Sequence, residues 1–131
     1  MVNSFIKTQF ILYVRDQQAS TEFYSKILRL QPSLNVPGMT EFILNKYCKL
    51  GLMPENGIAK ILSVNTPHPA EGNGVPRCEL YLNVENTEKE FNHSLQHGAK
   101  MISAPADRDW GDKVCYLADP DGHIIAFAEK L

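Results

Sequence analysis

The sequence lacks the features that would indicate a membrane protein, a nucleic-acid-binding protein or a secreted protein. Its longest apolar stretches, such as FILYV and HIIAFA, are far too short to span a bilayer. The formal net charge is only -2, and Lys and Arg form no basic run, so we expect neither nucleic acid nor an anionic membrane as a partner. The N-terminal stretch MVNSFIKTQF has no long apolar segment of the kind found in secretion signals.

Cysteine is also scarce and unpatterned. Cys48, Cys78 and Cys115 are odd in number and form no Cys-x-x-Cys pair, which favours reduced thiols and a cytoplasmic location over a disulfide framework. We interpret all three as small buried apolar residues. The sequence has no Gly-rich phosphate loop, nucleophile elbow or Ser–His–Asp signature. Its 131 residues, 44% of them hydrophobic, are enough to bury a core.

An internal repeat runs through the chain. The stretch QFILYVRDQQAS begins at residue 9, and ELYLNVENTEKE begins at residue 79. Both stretches alternate like a strand and then become helical. An ungapped alignment matches polar, apolar and capping positions in the two copies: Gln9 with Glu79, Leu12 with Leu82, Val14 with Val84, and Asp16 with Asn86.

Each copy predicts a helix that begins at a capping residue. Asp16 is a suitable N-cap for the first helix, and either Asn86 or Thr87 for the second, where Thr87-x-x-Glu90 fits a capping box. The second helix is expected to end near Gly98. The predicted buried positions are Ala19, Phe23, Ile27, Phe91 and Leu95, and His93 and His97 are predicted to face water.

Three short extended pieces follow each helix, so each half reads strand–helix–strand–strand–strand. We therefore predict a single α+β domain of two βαβββ modules, covering about residues 1–53 and 77–131. A linker of about residues 54–76, rich in Pro, Gly and Asn, joins them around a short ordered piece at IAKILS. Asp-Pro-Asp-Gly, residues 119–122, predicts a type I turn between the last two strands.

This pattern resembles the vicinal oxygen chelate superfamily, which includes glyoxalase I, extradiol dioxygenases, fosfomycin-modifying enzymes and bleomycin-resistance proteins. The resemblance rests on VRDQQASTEFYSKIL, NVENTEKEFNHSLQHGAKM and DWGDKVCYLADPDGHIIAF, and it covers essentially the whole chain. It implies a curved mixed sheet with a cleft between the modules, and a homodimer, because relatives of this length usually dimerise. The fold alone does not define the chemistry.

In the metal-using relatives, the resemblance implies four inward side chains that bind one divalent ion. The corresponding positions here are Gln9, Gly51, Glu79 and Ala126. Gln9 and Glu79 could be ligands, whereas glycine and alanine have no side-chain donor. Two protein ligands are too few for a stable Zn, Ni or Fe site, so we expect no metal cofactor.

Strand alternation tests whether another residue could replace the missing ligand in the last strand. If Ala126 faces the cleft, His123 and Glu129 face away from it. Glu129 is then interpreted as a solvated residue at the strand end, and His123 as a surface residue after the turn.

The same alternation predicts a cleft lining of mixed polar, aromatic and small side chains, as small-molecule sites require. The predicted ligand-binding residues are Gln9, Ile11, Tyr13, Glu79, Tyr81, Asn83, Trp110 and Ala126. Two functions remain open. The first is metal-free binding of a small, possibly aromatic molecule. The alternative is a divergent glyoxalase I-like lyase or dioxygenase-like enzyme that uses Gln9 and Glu79 with a divalent metal, or Glu79 alone as a catalytic base.

Overall fold

The first half of the chain forms a four-stranded mixed sheet. The computed structural model describes residues 4–131, and these divide into two compact units between Glu71 and Gly72. The elements of the first unit are β1 (Thr8–Val14), α1 (Gln17–Leu28), β2 (Leu34–Val36), β3 (Met39–Asn45), β4 (Cys48–Pro54) and α2 (Glu55–Leu62). The strand order is β1-β4-β3-β2, with β1 parallel to β4 and the other pairs antiparallel. The predicted ordered piece at IAKILS lies within α2 and the 3-10 turn that follows it.

The second unit repeats this topology. Its elements are β5 (Glu79–Asn83), α3 (Thr87–Gln96), β6 (Lys100–Asp107), β7 (Asp112–Ala118) and β8 (Ile124–Lys130). The strand order is β5-β8-β7-β6, with β5 parallel to β8. The predicted α+β fold of two βαβββ modules is therefore confirmed. No helix in residues 4–131 combines the length and the apolar composition that a bilayer crossing requires.

The repeated capping residues begin both helices as predicted. The Asp16 side chain accepts a hydrogen bond from the Ala19 amide at 3.0 Å. In the second unit Asn86 is the N-cap and accepts from the Lys89 amide, also at 3.0 Å. Of the two candidates for that cap, Asn86 is thus the correct one. A cap of this kind satisfies an amide that the first turn of a helix leaves unpaired.

Glu129 is not the solvated strand-end residue that we predicted. Its Oε1 atom accepts a hydrogen bond from the Thr87 amide at 2.9 Å, and the residue is half-buried. The carboxylate therefore lies at the positive N-terminal end of α3, where negative charge is stabilising. Strand alternation nevertheless predicted correctly that Glu129 and Ala126 lie on opposite faces of β8, because Glu129 points toward α3 and Ala126 does not.

The buried faces of the two long helices differ from the predicted stripes. In α1 the polar residue Ser20 is buried and Ala19 is exposed, and in α3 Ser94 is buried while Leu95 is 37% exposed. The α3 stripe runs through Thr87, Phe91 and Ser94, and position 95 lies one residue, about 100°, beyond it.

His93 and His97 do not face water fully. Both are half-buried, and their ring centroids lie 4.5 Å apart.

The interpretation of all three cysteines as buried apolar residues was wrong, and one apolar strand residue is exposed. Phe10 is 55% exposed although its strand neighbours Leu50 and Phe42 are fully buried. The reason is that α1 packs on β3 and β4, so it does not cover the edge strand β1. Among the cysteines only Cys115 is buried, and this burial raises the pKa of its thiol; Cys78 is exposed.

The Asp-Pro-Asp-Gly turn joins β7 to β8 as predicted. The Gly122 amide donates to the Asp119 carbonyl at 3.0 Å, which closes a four-residue turn. Asp119 Oδ1 accepts from the Asp121 and His123 amides, and the His123 Nδ1 atom lies 2.8 Å from Asp119 Oδ2. His123 is therefore half-buried and part of the turn, which corrects our interpretation of it as a surface residue.

Gly122 is the position where this turn is most sensitive to substitution. Its φ angle is +91°, and an added Cβ would lie 2.7 Å from the Gly74 carbonyl oxygen. We expect Gly122→Ala to lower the free energy of unfolding by about 3 kcal/mol, from backbone strain and this clash together. Gly38 is a matched control, because its φ angle is +96° and an added Cβ would meet nothing within 4 Å. Gly38→Ala should cost about 1 kcal/mol. Equal losses in denaturant unfolding of the two variants would contradict this account.

Candidate functional site

The sheet face opposite α1 in the first unit contains a polar cluster, which we define as Gln9, Glu41 and Lys49. Gln9 Nε2 donates a hydrogen bond to Glu41 Oε2 at 2.8 Å, and Lys49 Nζ lies 3.3 Å from Glu41 Oε1. The strand register explains the grouping, because Gln9 is paired with Lys49 on β4 and Glu41 is paired with Gly51. Three adjacent strands thus contribute one side chain each.

Glu41 is the anionic centre of the polar cluster. The hydrogen bond from Gln9 lowers the pKa of the Glu41 carboxyl, and the Lys49 ammonium group lowers it further, while partial burial acts in the opposite direction. Glu41 is therefore ionised at neutral pH and can only accept hydrogen bonds.

Gly51 lies directly beneath this cluster, and a side chain there would have to displace the flexible ends of its neighbours. A Cβ atom added there would lie 2.7 Å from Gln9 Nε2 and 2.9 Å from Met39 Cε. The Gln9 amide thus fills the space that a ligand side chain at position 51 would need.

The second unit has an aromatic cluster on the corresponding face of its sheet. We define it as Tyr81, Arg108, Trp110, Asp112 and Tyr116. The Tyr81 hydroxyl donates to Asp112 Oδ2 at 2.6 Å and accepts from Trp110 Nε1 at 3.0 Å. Asp112 is only 6% exposed, whereas Trp110 is 56% exposed. The cluster thus combines the buried, hydrogen-bonded carboxylate of Asp112 with the accessible indole ring of Trp110.

The ionisation of Tyr81 follows from these contacts. Its surroundings raise the pKa of the Tyr81 phenol, first because burial disfavours the phenolate and then because the phenol donates to Asp112; the hydrogen bond from Trp110 lowers it in part. Tyr81 therefore stays neutral and keeps its proton on the Asp112 side at neutral pH.

The floor of the aromatic cluster is made of small residues. Val114, Ala126 and Ala128 are fully buried, and Tyr81 and Tyr116 pack against them. In the register Ala126 is paired with Tyr81 on one side and Tyr116 on the other. A longer side chain at position 126 would need the volume that the two tyrosines fill.

The residues present do not fit the divalent metal ion that the resemblance implies. Gly51 and Ala126 have no side-chain donor, and the space at both positions is already filled. Glu41 adds a carboxylate beside Gln9, but the Lys49 ammonium group 3.3 Å from Glu41 repels a cation there.

One group in residues 4–131 does bring three possible ligand atoms of His and Asp together, namely Asp119, Asp121 and His123. The hydrogen bonds described above show that Asp119 and His123 serve to hold the hairpin turn.

The other predicted lining residues lie on the same two faces. Ile11 and Tyr13 follow Gln9 on β1, and Glu79 and Asn83 are exposed at the two ends of β5. Glu79 as a catalytic base stays a prediction. The cleft expected between the modules stays a prediction too.

Sequence reasoning did not assign Glu41, Asp112 or Tyr116 to a site. A signal for two of them exists in strand alternation, because Glu41 precedes the buried Phe42 and Tyr116 lies between the buried Cys115 and Leu117.

Comparison with known proteins agrees with the fold and the repeat. The model of the glyoxalase-like domain family matches residues 7–131. The uncharacterized protein YraH of Bacillus subtilis is 29% identical over 126 residues, which cover 94% of this chain and 97% of YraH. Among solved structures, a glyoxalase-related enzyme from Fulvimarina pelagi has a TM-score of 0.81 at 20% identity, covering 94% of this chain and 86% of its own.

A second solved structure, protein ATC0852 from Agrobacterium tumefaciens, has a TM-score of 0.75 at 28% identity and covers 100% of this chain and 99% of its own. The match of the family model extends over both βαβββ units and includes the polar and the aromatic clusters. This chain therefore belongs to the glyoxalase-like domain family of the vicinal oxygen chelate superfamily.

Proposed function

We propose that this glyoxalase-like protein binds a small aromatic molecule, without a resident metal ion, at the aromatic cluster of its second unit. The observation that supports this most directly is at position 126. Where metal-using relatives are expected to have a carboxylate, this chain has a buried alanine covered by Tyr81 and Tyr116. The space of a metal ligand is thus filled by two aromatic rings.

The chemistry of the exposed part of the cluster fits a planar ligand. Trp110 presents more than half of its surface, and Tyr81 and Tyr116 are half-buried. Aromatic rings pack on one another in stacked or edge-to-face arrangements and stabilise a complex by about 0.5–1.5 kcal/mol per pair. The hydrogen bonds among Tyr81, Trp110 and Asp112 hold two of these rings in place before a ligand arrives, which lowers the entropy cost of binding.

The metal-dependent lyase or dioxygenase, expected from the sequence to use Gln9 and Glu79, remains the second candidate because Glu41 places an ionised carboxylate beside Gln9. Glu41 already accepts a hydrogen bond from Gln9 Nε2 and pairs with Lys49, so a cation would have to displace both contacts. The homodimer and the cytoplasmic location expected from the sequence remain predictions alongside both candidates.

Metal content distinguishes the two candidates. We expect protein purified without a metal-affinity tag to contain less than about one divalent ion per ten chains by elemental analysis, since two ligands do not hold such an ion firmly. Added Zn²⁺ or Ni²⁺ should leave the melting temperature unchanged. A stoichiometric ion that is lost in Glu41→Ala, and kept in the exposed-residue control Glu22→Ala, would favour the enzyme instead.

Aromatic binding is tested with an uncharged planar probe, naphthamide, titrated by calorimetry. We expect Tyr116→Leu to weaken naphthamide binding by a factor between about 2 and about 13, because it removes one ring contact of about 0.5–1.5 kcal/mol. Tyr47→Leu is the matched control, because Tyr47 is 59% exposed in the turn of the first unit. No binding of naphthamide to the unmodified protein, or equal weakening by both substitutions, would contradict the proposed site.

Tyr81→Phe tests the preorganisation of the site. The variant leaves the buried Asp112 carboxylate without its hydroxyl donor, so the free energy of unfolding should fall by about 1–3 kcal/mol.

This loss should depend on pH. Because the folded-state pKa of Tyr81 is raised, its contribution to stability is fully present below the ordinary tyrosine pKa and is lost as the pH rises through the folded value. The free energies of unfolding of the unmodified protein and of Tyr81→Phe, measured with denaturant from neutral to alkaline pH, should therefore converge at high pH. Trp110 is the single tryptophan, so its emission should change in this variant even at neutral pH.

A further inference from the structure

We propose that the ligand of the aromatic cluster is an anion, an aromatic carboxylate whose acidic group is bound by Arg108. This inference rests on the proposed function and names the chemical class of its ligand. Three features of Arg108 support it: its position, its lack of an acidic partner and its fixed orientation.

Arg108 lies at the start of the β6–β7 turn and is half-buried within the aromatic cluster. Its guanidinium carbon lies 5.3 Å from the centroid of the Tyr116 ring, a cation–π distance. Its Nη2 atom donates to Ser103 Oγ at 3.0 Å. Ser103 is paired with Tyr116 in the strand register, so this hydrogen bond keeps the guanidinium group near the Tyr116 ring.

The positive charge of Arg108 is not neutralised by the protein. Within residues 4–131 no carboxylate oxygen lies within 4 Å of its guanidinium nitrogens, and its Nε atom is buried without a hydrogen-bond partner. Partly desolvated charges are normally paired in proteins, because water no longer stabilises them fully. The guanidinium therefore keeps donors for an incoming acceptor, since Nη1 makes no protein hydrogen bond among the described residues and Nη2 makes one.

The remaining charges of the cluster do not cancel this preference. Asp112 is negative, but it accepts the Tyr81 hydrogen bond on one oxygen, and Lys130 Nζ lies 3.9 Å from the other. Within the cluster Arg108 and Asp112 balance each other in formal charge, and the neighbouring exposed Lys130 adds one positive charge. An arginine fork matches the geometry of a carboxylate, and such charge-assisted hydrogen bonds are about twice as strong as neutral ones. A ligand with its aromatic ring on Trp110 and against the edge of Tyr116, and with its carboxylate on Arg108, contacts all three groups.

The test compares three naphthalene probes of similar size and different charge: naphthoate, naphthamide and naphthylmethylamine. Calorimetric titration of the full chain should give naphthoate about tenfold tighter binding than naphthamide, with the cationic amine weakest. Arg108→Gln should reduce the naphthoate-to-naphthamide ratio to about one while naphthamide still binds. Arg108→Lys should keep part of the preference, because the charge remains but the fork does not. Arg15→Gln removes the same charge from an exposed position of the first unit and should leave the tenfold ratio intact.

The outcomes separate this inference from the proposed function. If naphthamide binds but naphthoate binds no tighter, or if Arg108→Gln leaves the naphthoate-to-naphthamide ratio unchanged, the inference of a carboxylate ligand is wrong, while the proposed aromatic site is retained. If none of the three probes binds to the unmodified protein, the aromatic site fails and the carboxylate with it. Trp110 emission and thermal unfolding of each variant verify that it is folded. The preference of the unmodified protein should also shrink as salt concentration rises, because the Arg108 interaction is electrostatic.

Discussion

The hydrogen bond from the Tyr81 hydroxyl to Asp112 organises the second half of this protein. Tyr81 belongs to the edge strand β5 and Asp112 to β7, so the bond passes over the strand between them, β8. It is possible because β8 presents only Ala126 and Ala128 beneath the ring. The same hydroxyl accepts from Trp110, so one phenol fixes the position of a buried carboxylate and of an exposed indole. Much of what we propose about ligand binding depends on these two contacts.

The two halves show how one topology supports different chemistry. Gly51 in β4 and Ala126 in β8 occupy comparable inner strands of their sheets, and in both cases larger neighbours fill the space above the small residue. In the first half the neighbour is the Gln9 amide, held by an ionised Glu41. In the second half two tyrosines fill it. The small residues therefore do not leave empty holes, and each determines what its neighbours can do.

Much of the fold could be predicted from local patterns. The internal repeat, the capping residues Asp16 and Asn86 and the Asp-Pro-Asp-Gly turn each depend on contacts within a few residues, which sequence spacing describes well. The burial of Ser94 in place of Leu95, and the exposure of Phe10, depend on how far a helix extends over a sheet. Spacing along one element does not contain that information.

The candidate site was predictable in part for the same reason. Alternation in β5 correctly grouped Tyr81 with Ala126, and Trp110 was expected at a binding surface. The roles of Asp112 and Glu41 arise from cross-strand neighbours separated by about thirty residues, Tyr81 from Asp112 and Gln9 from Glu41. Such partners become visible only when the register of the sheet is known.

The central position of β8 has a consequence for synthesis. Within residues 4–131, β5 pairs only with β8, which lies about forty residues later in the chain. During synthesis of the second half, β5 therefore stays unpaired, and the Tyr81 ring stays uncovered, until β8 has been synthesised. Pairing over so long a loop is slow relative to helix and hairpin formation. Completion of this sheet should thus be the late step in folding of the second half, and the binding surface should form only with it.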